Sequence, residues 1–170
     1  AITDTGELSA SELEMLIDDY GMFIDIAKFG VGTAYVTPNL NRKLEVYREH
    51  NIKPYFGGTL FEKFFSNNAL DSYKKFLDKY KIGLVEISEG ITDISLENRI
   101  KIVADFKKDF EVLSEVGCKD KYKRMSPSTW INEIQSLLKS GCSYVITEGR
   151  DNATAGIYRP SGEIRTGLVE

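Results

Sequence analysis

Residues 83–88 read Gly-Leu-Val-Glu-Ile-Ser, a short apolar run that carries a carboxylate two positions after its first leucine. Apolar and β-branched runs of this length, bounded by turn residues, predict buried strands. Five further runs of the same kind lie before and after it, and stretches of helical periodicity separate them. The predicted strands cover residues 1–4, 23–29, 52–56, 83–88, 110–116 and 143–148.

The intervals between these strands favour parallel βα units. The strand starts recur every ~22 to 33 residues, which is the length of one strand and one crossover helix. Helix starts are marked by a capping box at Ser9 and Glu12, by Ser95, and by Ser126 followed by proline. Six such units predict an α/β fold, either a doubly wound sheet or a (β/α)8 TIM barrel. A GxGxxG motif is absent after the first strand, which weakens the dinucleotide-binding alternative. The expected organisation is one barrel domain over residues 1–170, incomplete on its C-terminal side.

Composition excludes several classes of function. The chain has 170 residues and a net charge of -4, so no basic field favours nucleic acid or anionic lipid. No run of about 18 apolar residues is present, so no membrane helix is expected. The two cysteines, Cys118 and Cys142, lack metal-ligand spacing and are expected to be free thiols in the cytoplasm. The single histidine, His50, is expected at the surface.

Charged residues recur near the C-terminal ends of the predicted strands. In five strands a charged residue follows an apolar one at a spacing of two, which places both on one face of that strand. Active sites of parallel α/β folds lie at this end. Four carboxylates around one lysine would favour a hard divalent cation, and Mg²⁺ is the natural candidate. The pairs are Ile2-Asp4, Ile26-Lys28, Leu84-Glu86, Leu113-Glu115 and Ile146-Glu148.

Small and basic residues follow three of the strands. Gly57-Gly58-Thr59 would let backbone N–H groups approach an anion, although a tight turn that needs positive φ explains the glycines equally well. Lys119 follows the fifth strand and Arg150 the sixth. A guanidinium there suits a carboxylate, phosphate or sulfonate group.

The strand-end segments together resemble those of the phosphosulfolactate synthase family. The resemblance runs in order from residue 1 to about residue 165, and the combined set of segments is specific. The matching segments are Lys28-Phe29-Gly30-Val31-Gly32-Thr33, Tyr55-Phe56-Gly57-Gly58-Thr59-Leu60-Phe61-Glu62, Val85-Glu86-Ile87-Ser88-Glu89-Gly90, Leu113-Ser114-Glu115-Val116-Gly117 and Tyr144-Val145-Ile146-Thr147-Glu148-Gly149-Arg150.

The resemblance implies a (β/α)8 barrel that adds sulfite to phosphoenolpyruvate with Mg²⁺, in the synthesis of coenzyme M or sulfolactate. The net charge and the lack of an apolar span predict that the chain binds neither nucleic acid nor membrane, and the cysteines predict a cytoplasmic protein. The open sheet edges of an incomplete barrel favour a homo-oligomer. Lys119 would be the general acid, with Glu115 beside it. The implied substrate-binding residues are Lys28, Gly57, Gly58, Thr59, Ser88 and Arg150, and the implied metal ligands are Asp4, Glu86 and Glu148.

Two other functions stay open. A lysine among apolar groups can form a Schiff base, so Lys28 or Lys119 could serve an aldolase-like reaction. The chain also resembles the plant heat-stress-associated relatives of the family, which have no established reaction. The family pattern has lysines where this chain has Thr5 and Cys118, and this difference favours the non-catalytic alternative.

Overall fold

A computed structural model describes residues 1–117, 125–149, 156–159 and 161–168. Helices follow each of the first five strands, and two helices follow the third. Gly21–Phe23, Thr33–Tyr35 and Thr166–Leu168 form short 3-10 turns. The strands are β1 Ile2–Asp4, β2 Ile26–Phe29, β3 Lys53–Phe56, β4 Leu84–Ile87, β5 Glu111–Val116 and β6 Tyr144–Thr147. The helices are α1 Ala10–Tyr20, α2 Leu40–Glu49, α3 Gly58–Ser66, α4 Leu70–Lys79, α5 Leu96–Phe106 and α6 Pro127–Ser140.

The chain divides into two compact units, Ala1–Glu86 and Ile87–Glu170. In the first unit, β1 pairs with β2, β2 with β3, and β3 with β4, always in parallel. In the second unit, β5 pairs with β6 in parallel. The hydroxyl of Ser114 in β5 also donates to the carbonyl of Ile87, 2.7 Å away. The predicted single domain over residues 1–170 stays a prediction.

The α/β class and the βα repeat of a barrel are confirmed, since six strands follow one another with helices after the first five. The predicted helix starts are also confirmed. Ser9 and Glu12 form the capping box, Ser95 caps α5, and Ser126 caps α6 with proline in its first turn. None of the helices in the described ranges combines the length and apolar character that a membrane crossing requires.

The core of the first unit lies between the sheet and its helices. Phe29 of β2 packs edge-on against Phe56 of β3 and against Tyr47 of α2. Phe56 in turn contacts Phe76 of α4. Helices therefore cover the face of the sheet that carries Phe29 and Phe56.

From their helical spacing we predict that Trp130, Ile131, Ile134, Leu137 and Leu138 of α6 all pack inward, and for two of them this is wrong. Trp130 and Leu137 are buried, but Ile131 and Leu138 are exposed. Residues one position away on a helix are rotated by about 100°, so a run of adjacent apolar residues cannot share one narrow buried stripe.

Candidate active site at the strand ends

Lys28 and Glu86 form an ion pair at the C-terminal ends of β2 and β4. The Lys28 ammonium lies 3.0 Å from Oε1 and 2.9 Å from Oε2 of Glu86. The Glu86 side chain is fully buried, whereas 26% of the Lys28 side chain is exposed. The carboxylate thus holds the ammonium from the protein side, while part of the lysine side chain is exposed to solvent.

The first turn of α3 completes this cluster. The amide of Gly58 donates to Oε1 of Glu86 at 3.0 Å. A Cβ built on Gly57 would lie only 2.6 Å from Cε of Lys28, so a side chain at this position would displace the lysine. The φ of Gly57 is -72°, so the tight-turn explanation does not apply to this glycine. Thr59 follows in the same turn and is half-buried.

The pKa of the buried Tyr73 in α4 is affected by the Glu86 carboxylate of this cluster. Burial raises the pKa of Tyr73, and the negative charge of Glu86 raises it further. The phenol therefore stays protonated, because an anionic oxygen beside a buried carboxylate would lack solvation. Tyr73 was not predicted as a site residue, because it occupies an ordinary core position of an amphipathic helix.

The expectation that Asp4 converges with Lys28 is wrong. Asp4 pairs in register with Phe29, and Lys28 pairs with Tyr55. Partners in a parallel register point to the same side of the sheet, so Asp4 lies on the helix-covered face with Phe29. Phe29 pairs with Phe56, and Phe56 pairs with Val85, so all three face the helices. Lys28 is adjacent to Phe29 and Glu86 to Val85, and therefore both lie on the other face.

Asp4 is instead the centre of a buried ion pair. Its Oδ1 accepts from Lys43 Nζ at 2.8 Å and from the amide of Gly6 at 2.8 Å. Its Oδ2 accepts from Tyr47 Oη at 3.0 Å. The side chains of Asp4 and Lys43 are 4% and 2% exposed. Burial raises the pKa of Tyr47, and the Asp4 carboxylate adds to this rise.

Lys43 and Tyr47 were not predicted as site residues, although the sequence contains a signal for them. Both lie on the helical stripe of α2 that carries Leu40 and Leu44, where a surface lysine is not expected. A lysine inside an apolar stripe indicates a buried anionic partner elsewhere. The sequence does not show which carboxylate that partner is.

The predicted Mg²⁺ ligands fit poorly in the first unit. Asp4 and Glu86 lie on opposite faces of the sheet, and each already contacts a lysine. In the described part of the chain, no three acidic, histidine or cysteine side chains converge as a metal site would need. Asp4 and Glu86 therefore do not form a joint metal site in this unit.

The second unit carries the other predicted carboxylates. Glu115 pairs in register with Ile146, and Glu148 lies two positions beyond Ile146. Glu115 and Glu148 thus lie on the same face of β5 and β6, and both are buried. Ser88, which follows β4, is fully buried.

Gly117 brings the ends of β5 and β6 close together. Its φ is +123°, and a Cβ on it would lie 2.7 Å from Cβ of Glu148 and 2.9 Å from the Trp130 ring. Only glycine meets both conditions without strain. The glycine that precedes the segment with Lys119 is therefore required by the local packing.

Arg99 of α5 was not anticipated from the sequence. Its side chain is 1% exposed, and Nη2 lies 2.6 Å from Glu133 and 3.2 Å from Glu89. Nη1 donates to the carbonyl of Glu115 at 3.1 Å. This guanidinium ties α5 to α6 and to the end of β5. Its opposite charge lowers the pKa of the buried thiol Cys142, but burial outweighs it and the pKa is raised to about 12.

Lys119 and Arg150, the predicted acid and anion-binding residue, lie outside the described residues. Cys118 lies outside them as well. The assignments of Lys119 and Arg150 therefore stay predictions from the sequence.

The chain is similar to one enzyme family over its whole length. The profile of the family described as (2R)-phospho-3-sulfolactate synthase (ComA) matches residues 1–170. A phosphosulfolactate synthase of Bacillus subtilis (strain 168) is 37% identical over 150 residues, which are 87% of this chain and 60% of that protein. The phosphosulfolactate synthase of Methanocaldococcus jannaschii is 37% identical over 159 residues, or 88% of this chain and 63% of that protein.

A third relative and one solved structure extend these likenesses. The phosphosulfolactate synthase of Methanothermobacter thermautotrophicus is 32% identical over 166 residues, which are 94% of this chain and 63% of that protein. The chain thus spans 60% to 63% of the length of these relatives. A crystal structure of 3-hexulose-6-phosphate synthase matches with a TM-score of 0.45 and 15% identity, over 85% of this chain and 62% of that one.

Proposed function

We propose, because this chain belongs to the phosphosulfolactate synthase family, that it carries part of the site that adds sulfite to phosphoenolpyruvate. The sulfur lone pair attacks C3 of the enol ester, and C2 receives a proton. The product, phosphosulfolactate, keeps the phosphate group, so the enzyme is a carbon–sulfur bond-forming lyase. Sulfite is its own nucleophile, and no activated serine or cysteine is needed.

The observation that carries the proposal is the partly exposed Lys28 side chain, whose ammonium pairs with Glu86 beside the first turn of α3. Both substrates are anions, and a cation beside the positive end of a helix favours anions. Gly57 leaves room for the Lys28 side chain, since a Cβ there would lie 2.6 Å from Cε of Lys28. The amides of Gly57 and Gly58 already donate to Phe29 and Glu86, contrary to the expectation that they bind an anion. Lys28 is therefore proposed to hold the phosphate, carboxylate or sulfite group, with Gly57, Gly58 and Thr59 lining the helix start beside it.

The other residues keep, as proposals, the roles that the family resemblance implies. Lys119 would deliver the proton to C2, and Arg150 would bind an anionic group of the substrate. Glu115 is proposed to act with Lys119, and Ser88 to contact the substrate. A positioned acid of this kind contributes typically 10²- to 10⁴-fold to the rate.

Mg²⁺ remains part of the proposal, held by Glu115 and Glu148. These two carboxylates lie on one face of adjacent strands, and oxygen ligands suit this ion. When bound, the ion would stabilise negative charge that develops on the substrate carboxylate. Asp4 has no place in this set, because its oxygens accept from Lys43, Tyr47 and Gly6. The cytoplasmic location and the homo-oligomeric state stay predictions from the sequence.

A Schiff base on Lys28 is disfavoured. The reaction needs a neutral amine, whereas the ammonium here lies 2.9 Å from a fully buried carboxylate that needs its charge. Borohydride with a keto substrate should therefore leave Lys28 unmodified. Recovery of a reduced adduct on Lys28 by peptide mass spectrometry would reverse this conclusion.

The decisive experiment mixes the protein with phosphoenolpyruvate, sulfite and Mg²⁺ and follows phosphosulfolactate by mass spectrometry. We expect product with the wild type, and a loss of at least about 100-fold in Lys28→Met and Lys119→Ala. Lys101→Ala is the matched control, because Lys101 lies exposed on α5, where it pairs with Glu97. Absence of product from a version as long as the relatives would instead favour a non-catalytic member, as Thr5 and Cys118 suggest.

A further inference from the structure

The path of the Lys28 side chain is fixed along its whole length. Its methylene groups cross Gly57, where a Cβ would lie 2.6 Å from Cε and 3.2 Å from Cγ. Its ammonium contacts both oxygens of Glu86, and Oε1 of Glu86 also accepts from the amide of Gly58. One buried carboxylate therefore links the cation to the helix start beside it.

We infer that Glu86 is a positioning residue, which aims the Lys28 ammonium and, as its counter-ion, limits how tightly the site holds an anion. The inference rests on the proposed function, because it concerns the same anion site. It differs from a metal-ligand role, since both oxygens of Glu86 are engaged by the ammonium. The carboxylate is fully buried, so only Lys28 faces the approaching solute.

The effect of Glu86 on anion binding follows from the arrangement of three charges, in which the Lys28 ammonium lies between the bound anion and the Glu86 carboxylate. An anion that contacts the outer side of the ammonium lies about 6 Å from the Glu86 carboxylate, the sum of two hydrogen-bond lengths. Repulsion at that distance is substantial at the dielectric typical of a protein surface, and solvent near the half-buried lysine reduces it. Removing the Glu86 charge should therefore tighten anion binding about tenfold.

If Glu86 positions Lys28, its replacement should lower kcat although it strengthens anion binding. Glu86→Gln keeps an acceptor for Gly58 but loses the charge that fixes Lys28. A cation displaced by about 1 Å can cost up to about 100-fold in rate, so kcat should fall at least about tenfold. A residue with a merely structural role would lower both affinity and kcat, or change neither.

Gly57→Ala tests positioning without altering any charge. The backbone at Gly57, with φ -72° and ψ 167°, accepts alanine. The added methyl group must push Lys28 away from Glu86, so kcat should fall about tenfold although both charged residues remain. This variant keeps the inference testable if Glu86→Gln does not fold.

The experiment measures calorimetric binding of inorganic phosphate and steady-state kcat for the wild type and both variants. Leu44→Ala, a core truncation in α2, is the control that lowers stability away from the site. Unchanged or weaker phosphate binding in Glu86→Gln would disprove the counter-ion role. Wild-type kcat in Gly57→Ala would disprove the positioning role. If the wild type forms no product, the proposed function fails, and the phosphate titration still decides the role of Glu86.

Discussion

Replacing Lys43 with methionine tests the buried ion pair on the helix-covered face of the sheet. Methionine keeps the length and apolar stem of the lysine but removes the charge opposite Asp4. Both side chains are less than 5% exposed, so water cannot take over the role of the ammonium. The variant therefore leaves a carboxylate buried without its counter-ion.

The size of the loss in stability depends on the hydrogen bonds that Asp4 retains in this variant. Breaking a buried pair by removing one partner costs about 3–5 kcal/mol. Asp4 would still accept from the Gly6 amide and from the Tyr47 hydroxyl, so the loss should lie near the lower limit. We expect the free energy of unfolding to fall by about 3 kcal/mol, a large part of the stability of most domains.

The double variant Asp4→Asn with Lys43→Met gives the sharper test. Asparagine can keep the bond from Gly6 and donate to the Tyr47 oxygen, and no buried charge remains. Replacing both partners of a buried pair is often near neutral, so at least about 2 kcal/mol should return. Urea denaturation at constant m-value measures all three proteins. A loss below about 1 kcal/mol in Lys43→Met, or no recovery in the double variant, would refute the reasoning.

Three further predictions concern the backbone and the single histidine. Val31 has φ +54°, which is costly for a β-branched residue, so Val31→Asn should raise the unfolding free energy by about 1 kcal/mol in urea; an unchanged value would exclude strain. Gly117→Ala should lower the thermal midpoint by several degrees, whereas Gly83→Ala, with open space at its Cβ, should not; equal midpoints would contradict the packing at Gly117. The Val46 carbonyl, followed by Asp18, raises the pKa of His50, so its contribution is present below the unfolded pKa and is lost as pH rises through the folded value. Relative to His50→Gln, the wild type should thus gain stability from pH 8 to pH 5.5 in parallel melts, and a constant difference would oppose this.

The strands were predictable because their signal is local. Each apolar run is long enough to be read alone, and the observed strands lie inside the predicted ones. The exception at the edges is instructive. Residues 23–25 were predicted as strand, but Gly21–Phe23 forms a 3-10 turn and β2 starts at Ile26. Apolar character alone does not distinguish a turn packed at a strand start from the strand itself.

The composition of the site was less predictable, because it depends on register. A two-residue spacing shows that Ile2 and Asp4 share a face, but it does not show which face of the sheet this is. Ile2 pairs with Ala27 and not with Ile26, and therefore Asp4 and Lys28 lie on different faces of the sheet. Shifting a strand by one residue exchanges its faces, and only the hydrogen-bond ladder fixes that choice.

The first unit holds two lysine–carboxylate pairs on the two faces of one thin sheet, and they differ in their access to water. The Lys43 side chain is almost completely buried, whereas the Lys28 side chain is partly exposed. Their protons should therefore exchange with deuterated solvent at very different rates, although the chemical groups are the same. The protein thus contains an internal control. Exchange at Lys43 should report on local opening of the fold, and exchange at Lys28 should report on binding of a solute at the site.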